Sequence, residues 1–231
     1  MTEQKSPITQ LEFSAKYDRE HSKNYYFKHQ KGLRRRLTNW REQAMAREGL
    51  RLACNPKSIL DLPCGAGRFW PLLASDSTRT LYAADNSRDM LETAARFQPP
   101  ELFKRFTCFQ TSAFDIDLPD AGVDAVFCMR LLHHIAAEDD RLAILREFHR
   151  VCREAVCLSI WVDGNLQAKR RKKLEQRRQA EKSASKKFKN RILLTKEQAE
   201  NEYHRAGFKV LGHFDLLPKV SMWRLYVLKK T

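Results

Sequence analysis

The chain has 231 residues, 42% of them apolar and 31% charged, with a formal net charge of +15. That length suits one domain with decorations, large enough for a real core. It holds no apolar run near the ~18 residues of a membrane span, and its amino terminus lacks an apolar stretch of signal-peptide length. A soluble, cytoplasmic chain is expected, with contact at the inner face of a membrane left open.

The charge is uneven. From Lys169 to Arg191 twelve Lys/Arg stand against two Glu, so this segment supplies ten of the fifteen net charges. The six cysteines form no Cys-x-x-Cys pair and have no His partner at zinc-finger spacing. Reduced, buried thiols and no metal site are the expectation.

In chain order, residues 1–15 are polar. Asn24 to Leu50 reads as a helix free of proline, with Leu33, Leu37, Trp40 and Ala44 forming one apolar stripe and Arg34, Arg35, Arg36 and Arg41 around it. Gly49 and Pro56 punctuate its end. Such a helix either packs on the domain or forms a lid, with Tyr17, Tyr25 or Tyr26 over a ligand. Residues 1–56 are accordingly read as a helical extension and 57–231 as the main domain.

Lys57–Leu62 is a first strand, followed by a helix start at Arg68–Ser75. Thr80–Ala84 is a second strand, and Asn86-Ser87 can cap a helix over Arg88–Phe97 that Pro99-Pro100 stops. Phe103–Gln110 is a third strand, Asp124–Met129 a fully buried fourth, Asp139–Cys152 a helix and Ala155–Trp161 a fifth strand. Alternation of strand and helix predicts a doubly wound, mostly parallel sheet. In such sheets ligands sit beyond the carboxyl ends of the strands.

The basic insertion, residues 163–191, breaks this rhythm. It reads as a solvated helix or a partly disordered segment, with Leu166, Leu174 and Phe188 its only large apolar residues. Thr195 caps a helix over Lys196–Arg205 that Gly207 stops. Strands at Lys209–Leu216 and Ser221–Leu228 close the chain as an antiparallel hairpin. The fold class expected is α/β: a seven-stranded Rossmann-like sheet with that hairpin and an added amino-terminal helix.

The chemistry centres on Ile59–Phe69, an apolar run that closes on Asp61, bends through Gly65 and Gly67, and restarts as a helix. Glycine permits the bend and a close ligand approach, and the helix start offers free N–H groups. A dinucleotide fingerprint needs a third glycine where this chain has Trp70, and no Gly-Lys-Ser/Thr phosphate loop is present. Asp85 at the tip of the second strand can accept from two vicinal ribose hydroxyls. A nucleoside without a pyrophosphate, carrying a cationic sulfonium beside Asp61, is S-adenosylmethionine.

Leu60-Asp61-Leu62-Pro63-Cys64-Gly65-Ala66-Gly67 resembles motif I of class I S-adenosylmethionine-dependent methyltransferases. Ala84–Leu91 resembles the second motif, Leu118–Val126 the stretch into the fourth strand, and Leu131-Leu132-His133-His134-Ile135 the Leu-His-His signature of small-molecule-type members. The resemblance implies that Asp61, Cys64, Gly65 and Gly67 surround the methionine moiety, Asp85 holds the ribose and Asn86 flanks the adenine. It places Ser112 and Ala113 at the adenine amine, where the family often has an acid. Met129 and Arg130 would face cofactor and substrate. Pro63 departs from the family's usual glycine, fixing φ and removing an N–H.

Methyl transfer from a sulfonium is an in-line displacement that positioning can largely promote. His133 and His134 are the candidate bases if the acceptor must lose a proton, although in the family this pair is often structural. Arg130 suits an acceptor carboxylate or phosphate. The expected function is methyl transfer to a small or lipid- or glycan-linked anionic acceptor. The alternatives are an RNA methyltransferase gripping phosphates through Arg34–Arg36 and Lys169–Arg191, and a non-catalytic relative that binds a partner through its basic arm. The insertion could also meet an anionic membrane surface.

Overall fold

The computed structural model describes residues 32–180 and 191–231. Tyr17, Tyr25, Tyr26, Phe188 and the first part of the expected amino-terminal helix lie outside them. Seven strands form one sheet in the order β3-β2-β1-β4-β5-β7-β6. These are β1 (Ser58–Asp61), β2 (Thr80–Asp85), β3 (Phe106–Gln110), β4 (Val123–Cys128), β5 (Cys152–Trp161), β6 (Phe208–Asp215) and β7 (Trp223–Lys230). β1 through β5 pair in parallel, while β7 runs antiparallel to both β5 and β6.

Helices cover both faces, as a parallel sheet requires. They are α1 (Leu33–Leu52), α2 (Trp70–Leu73), α3 (Arg88–Phe97), α4 (Pro100–Phe103), α5 (Glu138–Val151), α6 (Leu166–Ala180) and α7 (Lys196–Arg205). Alternate strand residues serve opposite faces. Leu60, Val126, Val156 and Leu158 pack with Leu142, Leu145 and Phe148 of α5 and Tyr203 of α7. Ile59, Ala125, Phe127 and Cys157 pack with Met45, Ala46 and Leu50 of α1 and with Trp70 and Leu73.

Local signals act where the sequence placed them. The Ser87 side chain caps α3 by accepting from Met90 N, and Thr195 and Gln198 form a reciprocal capping box on α7. Three acids open α5 and His149 and Arg150 close it, matching its dipole. One buried ion pair ties α5 to α7: Arg141 donates to Glu202 through Nε at 2.9 Å and Nη2 at 2.5 Å, and its Nη1 donates to the carbonyls of Ile135 and Ala136.

Several expectations need correction. Leu37 and Trp40, expected on the packed stripe of α1, are each 65% exposed, and the face that packs is Glu42, Met45, Ala46, Gly49 and Leu50. Gly49 lies inside the helix rather than ending it. A Cβ there would stand 2.9 Å from Leu225, so its smallness lets α1 settle on β7. The helix expected over Arg68–Ser75 is only the single turn α2, Trp70–Leu73. The third strand begins at Phe106, since Pro100 starts the short helix α4 instead of merely ending α3. The insertion is not wholly solvated, because Ala168 in the first turn of α6 is fully buried and the buried Asn165 carboxamide caps Ala168 N. Cys54 is exposed and Cys108 half-buried, while the other four thiols are buried. Among the described residues no helix is long and apolar enough to cross a membrane, and no cluster of His, Cys, Asp or Glu could hold a metal.

Candidate active site

The strand ends assemble the site. β1 ends on Asp61 and pairs with β2, which ends on Asp85, so register alone brings two carboxylates to one edge. Leu62 N donates to Phe127 O and Cys64 N to Ala84 O, carrying the chain from β1 across the ends of its neighbours. The Leu62–Pro63 peptide is cis, and Gly65 and Gly67 have φ of 54° and 76°. Gly67 takes that conformation against Trp70, whose ring would lie 2.6 Å from a Cβ. Trp70 itself is fully buried and stacks on Phe106 at 4.3 Å. The residue that excluded a dinucleotide fingerprint is thus a core plug beneath the turn. Gln98 at the end of α3 holds the turn from outside, its amide donating to the carbonyls of Ala66 and Gly67.

Asp85 is 8% exposed and accepts from Gly65 N and Ser87 N, each at 2.9 Å, one on each carboxylate oxygen. The backbone N–H of Asn86 also acts on it, and the carboxylate's acceptor sites outnumber these donors. Burial pushes its carboxyl up to about 6 against the pull of those N–H groups. Asp61 is 2% exposed, and the donor side chain at its carboxylate is the Trp70 indole. Burial drives its carboxyl well above the usual range and the charge of Asp85 adds to this, while Trp70 and Arg68 act the other way. Burial, with both acids, likewise raises the Cys64 thiol. The Asn86 carboxamide oxygen is buried without a partner. Ser112 is buried and its hydroxyl accepts from Phe114 N, Ala113 is half-buried beside it, and Met129 is buried at the end of β4.

These observations fit S-adenosylmethionine. A buried carboxylate met by little more than an indole N–H is costly unless a cationic or further donor group joins it. Asp85 at the adjacent strand end has acceptor capacity to spare for hydroxyls. The residues expected around the cofactor (Asp61, Cys64, Gly65, Gly67, Asp85, Asn86) do converge at the carboxyl ends of β1 and β2, with Ser112 and Ala113 after β3 and Met129 after β4.

Arg130 follows β4 in a left-handed conformation, φ 67°, with its N–H donating to the Ser159 hydroxyl at 2.8 Å. Its guanidinium lies 4.6 Å from the Trp223 ring centre and donates to Glu42 of α1. Glu42 is 3% exposed and also accepts from Arg68 of the motif I turn. Burial raises its carboxyl, but the two guanidiniums outweigh that and hold it below the usual range.

His133 is 2% exposed, stacked on Trp161 at 4.6 Å and edge-on to Trp223 at 4.9 Å. Its Nδ1 is buried without a partner, and burial, followed by the charges of His134, Arg191, Arg130 and Arg171, holds the imidazole neutral. His134 is half-buried with its ring 4.0 Å from that of His133. Arg171 of α6 and Arg191 lie over Trp161 at 4.7 and 5.5 Å. Sequence reasoning did not single out Glu42, Trp161, Trp223 or Arg171 as site residues. Trp161 was findable, as an aromatic at the carboxyl end of a strand, whereas the others come from distant segments with no local signal.

The order of this sheet and the glycine turn after its first strand define the class I, S-adenosylmethionine-dependent methyltransferase fold. Residues 59–155 match the model of the family described as the methyltransferase domain. A methyltransferase-like protein of Schizosaccharomyces pombe, itself uncharacterized, is 30% identical over 93 residues, which is 40% of this chain. The chain spans about a third of the length of that curated relative, with 33% of it covered. Magnesium protoporphyrin IX methyltransferase from Synechocystis PCC 6803, with bound SAH, superposes with a TM-score of 0.67 at 14% identity, over 87% of this chain and 89% of its own. A chain of the complex between the Haloferax volcanii Trm112 methyltransferase activator and a methyltransferase superposes with a TM-score of 0.63 at 13% identity, over 96% and 99%.

Proposed function

We propose that the protein transfers a methyl group from S-adenosylmethionine to an anionic acceptor, small or linked to a lipid or glycan. The observation that carries this reading is the pairing of two buried carboxylates, Asp61 and Asp85, at adjacent strand ends around the Gly65–Gly67 bend. Bound there, S-adenosylmethionine supplies an electrophilic methyl group on a sulfonium. Asp61 and the backbone of Cys64, Gly65 and Gly67 hold its amino-acid end, Asp85 its ribose, and Asn86, Ser112 and Ala113 its adenine.

Arg130 orients the acceptor. Its strained backbone is fixed by Ser159, and its guanidinium rests on Trp223 beside Met129, so a carboxylate or phosphate has one defined place to bind. His133 is walled between two indoles and acts as a neutral support. His134, the more accessible of the pair, takes up the proton when the acceptor must lose one. α1 acts as the lid, which Glu42 fastens to Arg68 and Arg130.

An RNA acceptor is the second reading, favoured by the exposed row Lys169, Arg170 and Lys173 on α6. It requires RNA affinity that falls steeply with salt. Calorimetry with S-adenosylmethionine on the full chain and on Asp85→Ala is the first test, with micromolar binding expected only for the former. Unchanged affinity in Asp85→Ala would refute the site. A labelled-cofactor incubation with cell extract then reports the acceptor. Arg130→Ala should raise KM for that acceptor more than it lowers kcat, with partial rescue by Arg130→Lys.

A further inference from the structure

The described residues expose few large apolar side chains, and most of these gather at one end of the molecule. Leu37 and Trp40 of α1 are each 65% exposed, Leu217 is 55%, Leu166 51% and Val220 47%. A guanidinium and two backbone N–H groups tie their three segments together. Arg41, one turn beyond Leu37, donates to the carbonyls of Leu216 and Asp215, which sets the first turns of α1 against the β6–β7 loop. Leu166 N and Gln167 N donate to Lys219 O and Val220 O at 3.0 Å each, which sets the start of α6 against the same loop.

The charges on this face have one sign. Residues 33–41, 166–173 and 216–222 contain no Asp or Glu at all, while Arg35, Arg36, Lys169, Arg170 and Lys219 are exposed among the apolar side chains. A bare contiguous apolar patch is unusual on a soluble surface and marks a contact. Phosphate binding by itself would need only the cations, and a protein interface of this kind would be depleted in lysine. Apolar side chains including an indole, interleaved with Lys and Arg whose stems can lie along apolar surface, match an anionic bilayer interface.

The face also has a defined relation to the site. The β6–β7 loop lies at the carboxyl end of the sheet, where Trp223 pairs with Trp161 and carries Arg130 over its ring. We propose that Leu37, Trp40, Leu166, Leu217 and Val220 form a docking face for the surface of an anionic lipid bilayer, holding the carboxyl-end side of the sheet toward the membrane. This surface is wider than the basic insertion and does not depend on which acceptor is methylated.

The test uses the full chain with vesicles of phosphatidylcholine alone and vesicles of equal parts phosphatidylcholine and phosphatidylglycerol. Trp70 and Trp161 are buried and Trp223 is half-buried, so an emission shift on docking reports chiefly Trp40. Sedimentation with the mixed vesicles only, together with a blue shift that Trp40→Ala removes, is the expected result. The double variant Trp40→Ala/Leu217→Ser should weaken vesicle binding by roughly tenfold. Both positions are exposed, so its urea midpoint should match that of the parent. Equal binding to neutral vesicles, no blue shift, undiminished binding by the double variant, or displacement from vesicles by RNA at equal phosphate concentration would each overturn the proposal.

Discussion

Glu42 on α1 closes an ion pair of 2.5 Å with Arg130, which stands 88 positions further on at the end of β4. The same carboxylate accepts from Arg68, so one buried acid fastens the amino-terminal helix to two sides of the proposed cofactor pocket. Arg68 and Arg130 retain 14% and 21% side-chain exposure, whereas Glu42 keeps 3%.

Removing Glu42 should therefore cost less than breaking a fully buried pair, because both guanidiniums can rehydrate. We expect Glu42→Ala to lose about 2 kcal/mol in urea unfolding. The pair's contribution is present above the unfolded carboxyl pKa and disappears as pH falls through the lower folded value. The deficit of the variant should accordingly shrink in acid, and a deficit that persists unchanged would count against the ion pair as its source.

Asp85 behaves in the opposite sense. Its folded pKa is raised to about 6, so the folded protein holds an extra proton between the unfolded value and 6, and ionisation costs stability as pH rises through that window. Ribose hydroxyls that donate to the carboxylate favour the ionised form. Affinity for S-adenosylmethionine should fall as pH drops below about 6, approaching tenfold per unit. Calorimetry across that range checks it.

Gly67→Ala should damage both fold and binding. The backbone has φ 76°, and the new methyl would meet a Trp70 ring that is locked between the turn and Phe106. Strain and overpacking together suggest a loss of about 2–3 kcal/mol, read as a lowered thermal midpoint. Pairing the change with Trp70→Leu should recover part of the stability.

The Arg141–Glu202 pair is 4% and 5% exposed. Glu202→Ala strands a buried guanidinium and should cost about 3–5 kcal/mol, whereas Arg141→Met with Glu202→Leu should cost much less. Denaturant titration of both variants separates the penalty of an unpaired charge from the net worth of the pair.

The sequence by itself determined the strand and helix alternation, the caps at Ser87 and Thr195, and the motif I bend with Asp61 and Asp85. These are legible because each depends on residues a few positions apart: period, capping chemistry and positive φ are local properties. It misjudged α1, because the Leu33–Ala44 stripe satisfies helical spacing equally well whichever face a neighbouring sheet covers. The packed face was settled by β7, where Gly49 lets the helix approach Leu225, and by the two guanidiniums that hold Glu42 inward. The surroundings of His133 and Arg130 likewise depend on Trp161 and Trp223, which only the antiparallel pairing of β5 with β7 brings opposite each other. Contacts between distant segments carry no spacing signal in one chain, so tertiary structure alone decided how the surroundings of Arg130 and His133 are built.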